Sequence, residues 1–571
     1  MDSNSIYKDS RHNGVQMTTL LITNGLIVDG SGCDPFPGHV LVRDDAIDTV
    51  VRSDTTHTES FLSQGADRCL DAKGLVVSPG FIDAHSHFDW IVPLPEHDRV
   101  LFPLVEQGVT TVITGNCGFS PAPIHAGDAP RLNILAEFFL DRELECPWQG
   151  MDEFLQNLDT GGLLFNHVQL TGHGTAHIST VHDLNRTPNA AEMGIMLGML
   201  RDSLAQGSFG VSLGLMYPPG MFYSSHDLAR VAGVAAESER VLTVHKRALS
   251  RYSGAYPNIP FLSRPHNLRA LEEILTIGIE IGVKLQISHL IFVGRRSWPT
   301  APRAMDMIER AAARGLPVRW DIYPHFCGNS YLSVFLPTWF MADYERNQEN
   351  PWSIRRVKLE LTMAQHLLGF NLADIQIMQA GYPEGEQFNG LNIVEICRRL
   401  GKSPIDVLLH LVHKSGGKAL QLTYGYSGDD QHEGLIESLM IHPRSLFMTD
   451  TILKATGFAN PASYGAFPRI LGRFVRDKQV LTINEAVAKM SGYTARWFGI
   501  HRRGEIRPGY YADLVIWDPA TIADTTSRTC TAGKPVGIEF VFINGQPVVE
   551  RGTYIKGAKH GRVLRPEAAP A

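Results

Sequence analysis

LVVSPGFIDAHSH, residues 75–87, is a near-continuous apolar run that ends on His85 and His87. A strand this apolar suits a parallel sheet covered on both faces. Seven further runs repeat the pattern: TTVITGNCG (110–118), HVQLTGHG (167–174), FGVSLGLMY (209–217), VLTVHKR (241–247), VKLQISHL (283–290), PVRWDIYPH (317–325) and SLFMTD (445–450). Between them lie stretches with helical spacing, such as AEMGIMLGMLRDSLAQG (191–207) and RAMDMIERAAARG (303–315). Strand–helix alternation predicts an α/β fold with a parallel sheet. Eight such units predict closure into a (β/α)8 TIM barrel.

The ends of the chain read differently. LLITNGLIVDG (20–30) and the pair HVLVRDD and IDTVV form β-rich sequence before the first run. ADLVIWD (512–518) and GIEFVFINGQPVVERG (537–552) do so after the last, the latter with an Asn544-Gly545 hairpin turn. The connection from His325 to about Arg444 is too long for a bare loop and holds helical stretches, so an insertion is expected there. The domain reading is therefore a disordered tail at 1–17, a β part at 18–75, the barrel at 76–502 with its insertion at about 326–444, a second β part at 503–556, and a tail at 557–571.

Composition narrows the class. The 571 residues are 44% hydrophobic and 19% charged, ample for a large core in a globular protein. A net charge of −7 without a basic run argues against nucleic acid as a partner. No run of 18 apolar residues suggests a membrane span. MDSNSIYKDSRHNGVQ at the N-terminus lacks the apolar segment of a secretory signal, and Met17 is an alternative start. Seven scattered cysteines suit a reducing compartment, so a cytoplasmic location is expected.

The chemistry sits at the strand ends. His85 and His87 are two apart, which in a strand puts them on one face. The second run ends at Cys117, the fifth at His245, the sixth at His289 and the eighth at Asp450. In a barrel these ends form one rim. A lone strand-end histidine is usually structural, and a lone aspartate there is usually a helix cap. Six such residues together point instead to a metal site. Imidazole with thiolate favours Zn2+ over Mg2+ or Ca2+. Lys246 would point away from that face, so it is a poor candidate for a carboxylated bridging lysine.

DAKGLVVSPGFIDAHSH (71–87) with RGEIRPGYYADLVIWDP (503–519) resembles the amidohydrolase superfamily. TTVITGNCGFSPAP, TGHGTAH, GSFGVSLGLMYPPG, ISHL, DIYP, YGAFPRILGRFV and GIEFVFINGQPVVERG look like its D-aminoacylase (N-acyl-D-amino-acid deacylase) branch, over roughly residues 18–565. The resemblance implies a small β-sandwich assembled from both chain ends and an insertion between barrel strands seven and eight. It implies that His85, His87 and Asp450 frame one zinc position. Cys117 would bridge to a tighter position completed by His245 and His289. It implies amide hydrolysis, with Asp450 as the proton-transferring residue. His173 is then either an oxyanion donor or a structural histidine. Tyr217 and Tyr323 are either substrate contacts or parts of rigid Tyr-Pro turns.

The chain departs from that branch in one pocket. The family's strand-six motif continues SHLK, but residue 291 is Ile; Ala462 stands where HPRxxGTFPR carries its first arginine; Asn329 replaces a serine. In the family these positions hold a substrate carboxylate. Losing two cations implies a neutral or non-standard substrate, unless Arg247, Arg295 or Arg296 takes over. The expected function is a zinc-dependent hydrolase of a carbon–nitrogen bond. The alternatives are a true N-acyl-D-amino-acid deacylase, an esterase, lactonase or zinc lyase on the same site, or an inactive scaffold. The expected partner is a small-molecule substrate, and homo-oligomerisation is left open.

Overall fold

The computed structural model describes residues 8–9, 18–54, 61–62, 66–257, 263–369 and 371–567. Along the chain the strands are β1 Lys8–Asp9, β2 Thr19–Ile27, β3 Phe36–Arg43, β4 Ala46–Arg52, β5 Arg68–Asp71 and β6 Val76–Pro79. There follow β7 Phe81–Asp83, β8 Val109–Thr114, β9 Asn166–Gln169, β10 Thr171–Gly172, β11 Gly210–Gly214, β12 Val241–His245, β13 Lys284–Ile287 and β14 Val318–Ile322. Next come β15 Cys327–Tyr331, β16 Ile375–Gln379, β17 Leu420–Tyr424 and β18 Ser445–Phe447. The last are β19 Leu514–Trp517, β20 Ile538–Ile543, β21 Gln546–Glu550 and β22 Thr553–Tyr554.

The middle of the chain is a mixed α/β structure in which each strand-forming run carries a strand. β7, β8 and β9 pair in parallel, as do β10 through β14 and β18. The two sheets are joined by hydrogen bonds at both seams: Leu170 N–H to the Thr114 carbonyl at 2.9 Å, and Ala84 N–H to the Phe447 carbonyl at 3.1 Å. Side chains alternate as the pleat demands. Val211, Leu213, Leu242, Val244, Leu285 and Trp320 pack into the main core. Ser212, Thr243, Gln286 and Asp321, of the opposite parity, are buried polar groups that bond inward: Thr243 Oγ1 to Asn116 at 3.5 Å, Gln286 Nε2 to Asp321 at 2.7 Å.

Strands from both chain ends form one ten-stranded sheet, ordered β1-β5-β2-β6-β19-β20-β21-β22, with β3 on β2 and β4 on β3. Its apolar face closes over Ile22, Val40, Leu70, Leu514 and Phe542. The turn between β20 and β21 uses Asn544 and Gly545, both at positive φ (49° and 76°), as a two-residue hairpin of the primed type requires. The chain passes from this sheet to the parallel one at Gly80. A Cβ there would meet Thr110 Oγ1 at 2.1 Å, so only glycine lets β6 and β7 follow one another.

Three expectations need revision. The tail expected at 1–17 lies outside the described residues except Lys8–Asp9, which pair antiparallel with Arg68–Cys69. Up to residue 567, the segment expected as a C-terminal tail is laid along β9: His167 N–H bonds the Arg562 carbonyl and Leu564 N–H bonds the His167 carbonyl, at 2.9 and 2.8 Å. The insertion holds strands as well as helices. β15, β17 and β16 form an antiparallel sheet over a separate core that includes Val357, Ile375, Ile396 and Leu411. That unit ends before the helix Gly434–Ile441, whose Ile436, Leu439 and Met440 join the main core.

Candidate metal centre

His85 and His87 lie beyond the end of β7, in a turn and not in the strand, so strand alternation is not what brings them together. Their placement depends on Asp83. Its buried carboxylate accepts the His85 N–H at 3.3 Å, the Thr449 N–H at 2.9 Å and the Thr449 hydroxyl at 2.5 Å. Burial pushes its pKa up to about 7, against these bonds. Asp450 N–H then donates to the His85 carbonyl at 3.1 Å. The ends of the first and last parallel strands are thus tied to each other.

Two triads of donor atoms result. His85, Cys117 and His289 form one, all buried, and His85, His87 and Asp450 the other, each with its ligand atoms within 4.8 Å of one another. Cys117 Sγ is 3.3 Å from His85 Nε2 and 3.5 Å from His289 Nε2. Asp450 Oδ1 is 3.5 Å from His85 Nε2 and 3.6 Å from His87 Nε2. His245 ends β12 outside both triads, its ring edge-on to His289 with centroids 4.3 Å apart, and neither ring nitrogen has a hydrogen-bond partner. Buried imidazole nitrogens without partners are expensive unless a ligand meets them. The set fits a soft first-row ion.

The backbone at these positions is unusual. Cys117 (φ 54°), His289 (φ 32°) and Asp450 (φ 48°) occupy the left-handed region without being glycine. Such conformations cost free energy and persist where the surroundings over-determine them, often at functional sites. The electrostatics are as tight. Burial alone would raise the Cys117 thiol, but the neighbouring His85, His245 and His289 imidazoles carry it well below its ordinary value. Asp450 is only partly buried, and His289, His85 and His87 hold it below the usual carboxylate range.

The other expected site residues separate into groups. Tyr323, 3% exposed, has a hydroxyl without a partner and feels the Asp450 charge. Ile291 and Ala462 are buried, and Ile291 packs with Leu249 and Tyr323. Asn329 lies on β15 and accepts from Asn460 Nδ2 at 2.7 Å. Three more are engaged by groups of the protein itself. His173 Nδ1 faces the Ser212 carbonyl at 3.3 Å, its Nε2 is buried without a hydrogen-bond partner, and its ring is wedged against Gly118 and Gly220. Tyr217 donates its hydroxyl to the Cys117 carbonyl at 2.7 Å, propping that turn. Arg247 grips both oxygens of Glu273 at 3.0 Å and the Met221 and Tyr223 carbonyls, so it has no free face for a substrate. Arg295 is likewise held by Asp374 and Asp429.

Sequence reasoning passed over Asp321, the first residue of DIYP. Its Oδ1 accepts the His289 N–H at 2.5 Å and lies 3.5 Å from His85 Nδ1. Its place among the buried polar residues of opposite parity on a parallel strand was the available signal.

The model of the amidohydrolase family matches residues 68–366 and 406–549. The chain is 30% identical to a D-aminoacylase of Alcaligenes xylosoxydans xylosoxydans, over 96% of this chain and 98% of that protein. Its structure is similar to that of an N-acyl-D-glutamate deacylase from Bordetella bronchiseptica complexed with zinc and a phosphonate inhibitor: TM-score 0.76, 27% identity, 96% of this chain and 100% of that one. It is also similar to a D-aminoacylase with a binuclear metal centre, where one metal activates and a second attenuates: TM-score 0.75, 29% identity, 96% of this chain and 99% of that one.

Proposed function

The chain belongs to the amidohydrolase family, as a metal-dependent hydrolase of carbon–nitrogen amide bonds, and on that premise we propose that it is a zinc enzyme acting on a neutral acyl-amine. The observation that carries the metal chemistry is the convergence of His85, His87, Cys117, His289 and Asp450 into two overlapping triads, with His245 beside them. The hydrogen-bonded seams at Leu170 and Ala84 support reading the parallel strands as a closed (β/α)8 barrel, with the terminal sheet as its β-sandwich.

The Cys117, His245 and His289 side is the softer donor set and would hold one zinc ion tightly; the His85, His87 and Asp450 side would hold a second more weakly. When bound, zinc acidifies water and polarises a carbonyl. Asp450 takes a proton from the attacking water and returns it to the leaving nitrogen. The water oxygen adds to the acyl carbon, the C–N bond breaks, and a carboxylic acid and an amine leave. His85 and His87, at 3.5 and 3.6 Å, keep the Asp450 carboxylate oriented for that work.

Substrate neutrality is read from what surrounds the site. Ile291 and Ala462 are apolar and buried, and Arg247 and Arg295 are spent on internal carboxylates. A carboxylate placed there would lose its hydration without gaining a cation, and charged hydrogen bonds are worth about 1.5–3 kcal/mol each. The second reading, a true N-acyl-D-amino-acid deacylase, is favoured by the 30% identity to a D-aminoacylase along almost all of both chains. Zinc-loaded protein assayed on N-acyl-D-amino acids, and on their esters and carboxamides, separates the two. Preference for the neutral forms supports the first reading, and preference for the free acids establishes the second. Protein that retains no transition metal after reconstitution would defeat both.

A further inference from the structure

His85 and His87 are supported differently. Behind His85 stands a carboxylate, with Asp321 Oδ1 3.5 Å from its Nδ1. His87 Nδ1 is buried and meets no hydrogen-bond partner. Imidazoles that bind metal usually owe their orientation to a hydrogen bond at the second ring nitrogen. For His87 an aromatic ring takes that place: Phe139, 4% exposed, lies 5.2 Å from it between centroids, at 30°. Phe139 in turn stacks on Trp90, 5.2 Å away at 4°. The turn that carries Phe139, residues 137–141, follows the helix Ala129–Ala136 and is held by two other segments. Lys454 Nζ donates to the Glu137 carbonyl at 3.2 Å, the Leu140 carbonyl at 3.4 Å and Asp141 Oδ1 at 3.0 Å, and its side chain is only 9% exposed. Asp141 also accepts Thr456 Oγ1 at 3.2 Å and, from the end of β16, Gln379 Nε2 at 3.1 Å. Lys454 stands four residues beyond Asp450. One clasp thus ties together the loop after Asp450, the insertion and the turn that packs on His87.

Resting on the zinc reading above, we propose that Lys454 and Asp141 are positioning residues for the metal position framed by His85, His87 and Asp450. They keep Phe139 against the His87 imidazole, and the tightness of that position depends on the clasp. The physical reason is side-chain freedom. A ring that packing already holds in one rotamer loses less on binding than one that must first be ordered. No hydrogen bond at Nδ1 restrains His87, so loosening the 137–141 turn releases its ring. The Cys117, His245 and His289 side is held by other groups. Asp321 accepts the His289 N–H at 2.5 Å, and Tyr217 donates to the Cys117 carbonyl at 2.7 Å. Release of the clasp therefore acts on one position and spares the other. Hydrogen-bonded partners of metal ligands are worth about 10–100-fold in affinity, and a partner that acts by packing falls at the lower end, roughly tenfold.

The experiment titrates zinc into the full chain after metal has been stripped from it, and resolves a tight and a weak affinity by competition with a chromogenic chelator. Lys454→Met and Phe139→Leu should each lower the weak affinity roughly tenfold and leave the tight one unchanged. Lys454→Arg, which keeps a cation for Asp141, should stay near wild type. The ratio of the two affinities is the deciding number, because a fold that is merely destabilised loses both together. Affinities lowered in parallel, or a ratio unmoved in Lys454→Met and Phe139→Leu, overturn the inference. So does a wild type that takes one ion only, which leaves the zinc hydrolase reading intact. A wild type that takes no zinc defeats that reading, and this inference with it. Should Lys454→Met fail to fold, Asp141→Asn and Thr456→Val loosen the same clasp from its other side and read the same ratio.

Discussion

Asp321 stands behind His85, its Oδ1 3.5 Å from His85 Nδ1, with both side chains almost wholly buried. His85 is the residue common to both donor triads. One carboxylate therefore steadies the ring on which both proposed metal positions depend. The same oxygen accepts the His289 N–H, so it also sets the turn that carries a second imidazole.

Replacing Asp321 with alanine should weaken zinc binding. Partners of this kind are typically worth 10–100-fold in metal affinity. Competition with a chromogenic chelator measures it, and Asp321→Asn, which keeps an acceptor, should fall between alanine and wild type. Zinc affinity unchanged in the alanine variant would remove Asp321 from the account.

Asp450→Asn should abolish turnover while most of the zinc stays bound. The amide keeps the shape of the side chain but cannot take and return a proton, a loss of about 10²–10⁴ in rate. Elemental analysis and kcat on one protein sample give both numbers. A variant keeping more than about a tenth of wild-type kcat would assign the proton transfer elsewhere.

Acid sensitivity should trace in part to His167. This residue of β9 is fully buried, and burial pushes its pKa down to about 4 from 6.5, against a hydrogen bond to Gln169 Oε1 at 2.7 Å. Between those two values the unfolded chain holds a proton that the folded chain refuses. Stability contributed by the neutral ring is therefore complete above about pH 6.5 and is lost as pH falls towards 4, on the order of 3 kcal/mol. Urea denaturation of His167→Gln across pH 4–7 should show a shallower slope than wild type. Parallel curves would count against it.

Much of this was legible from residues alone. The apolar runs around Phe81, Val112, Val244 and Ile287 have the composition of doubly covered parallel strands, and each carries one. Cys117, His245, His289 and Asp450 follow strand ends, so a rim of donors could be expected before any coordinates. What was hidden depends on long-range partners. Nothing local marks Cys117 or Asp450 as left-handed; their φ values come from neighbours such as Tyr217 and His85. Arg247 resembled a free cation because Glu273, its partner, lies 26 residues on, in the helix His266–Ile281. The strands of the insertion pair Asn329 with Leu422, a register no hydrophobic period in the intervening helices announces. Polar-looking residues such as Arg562 bond through their backbone to β9, which a reading by side-chain type cannot register.

The bonds between Asp83 and Thr449 span 366 residues of chain. During synthesis, the carboxylate that seats His85 leaves the ribosome long before its partner exists. At about 5–20 residues per second the wait is roughly 20–70 s. Through that interval Asp83 is a buried-type acid without its hydroxyl, and the first and last parallel strands cannot meet. The nascent chain is a metal-dependent hydrolase in parts only. Early donor side chains such as those of Cys117 and His85 are present as thiol and imidazole before the last carboxylate can join them, so the order in which the donor cluster is completed is set by translation.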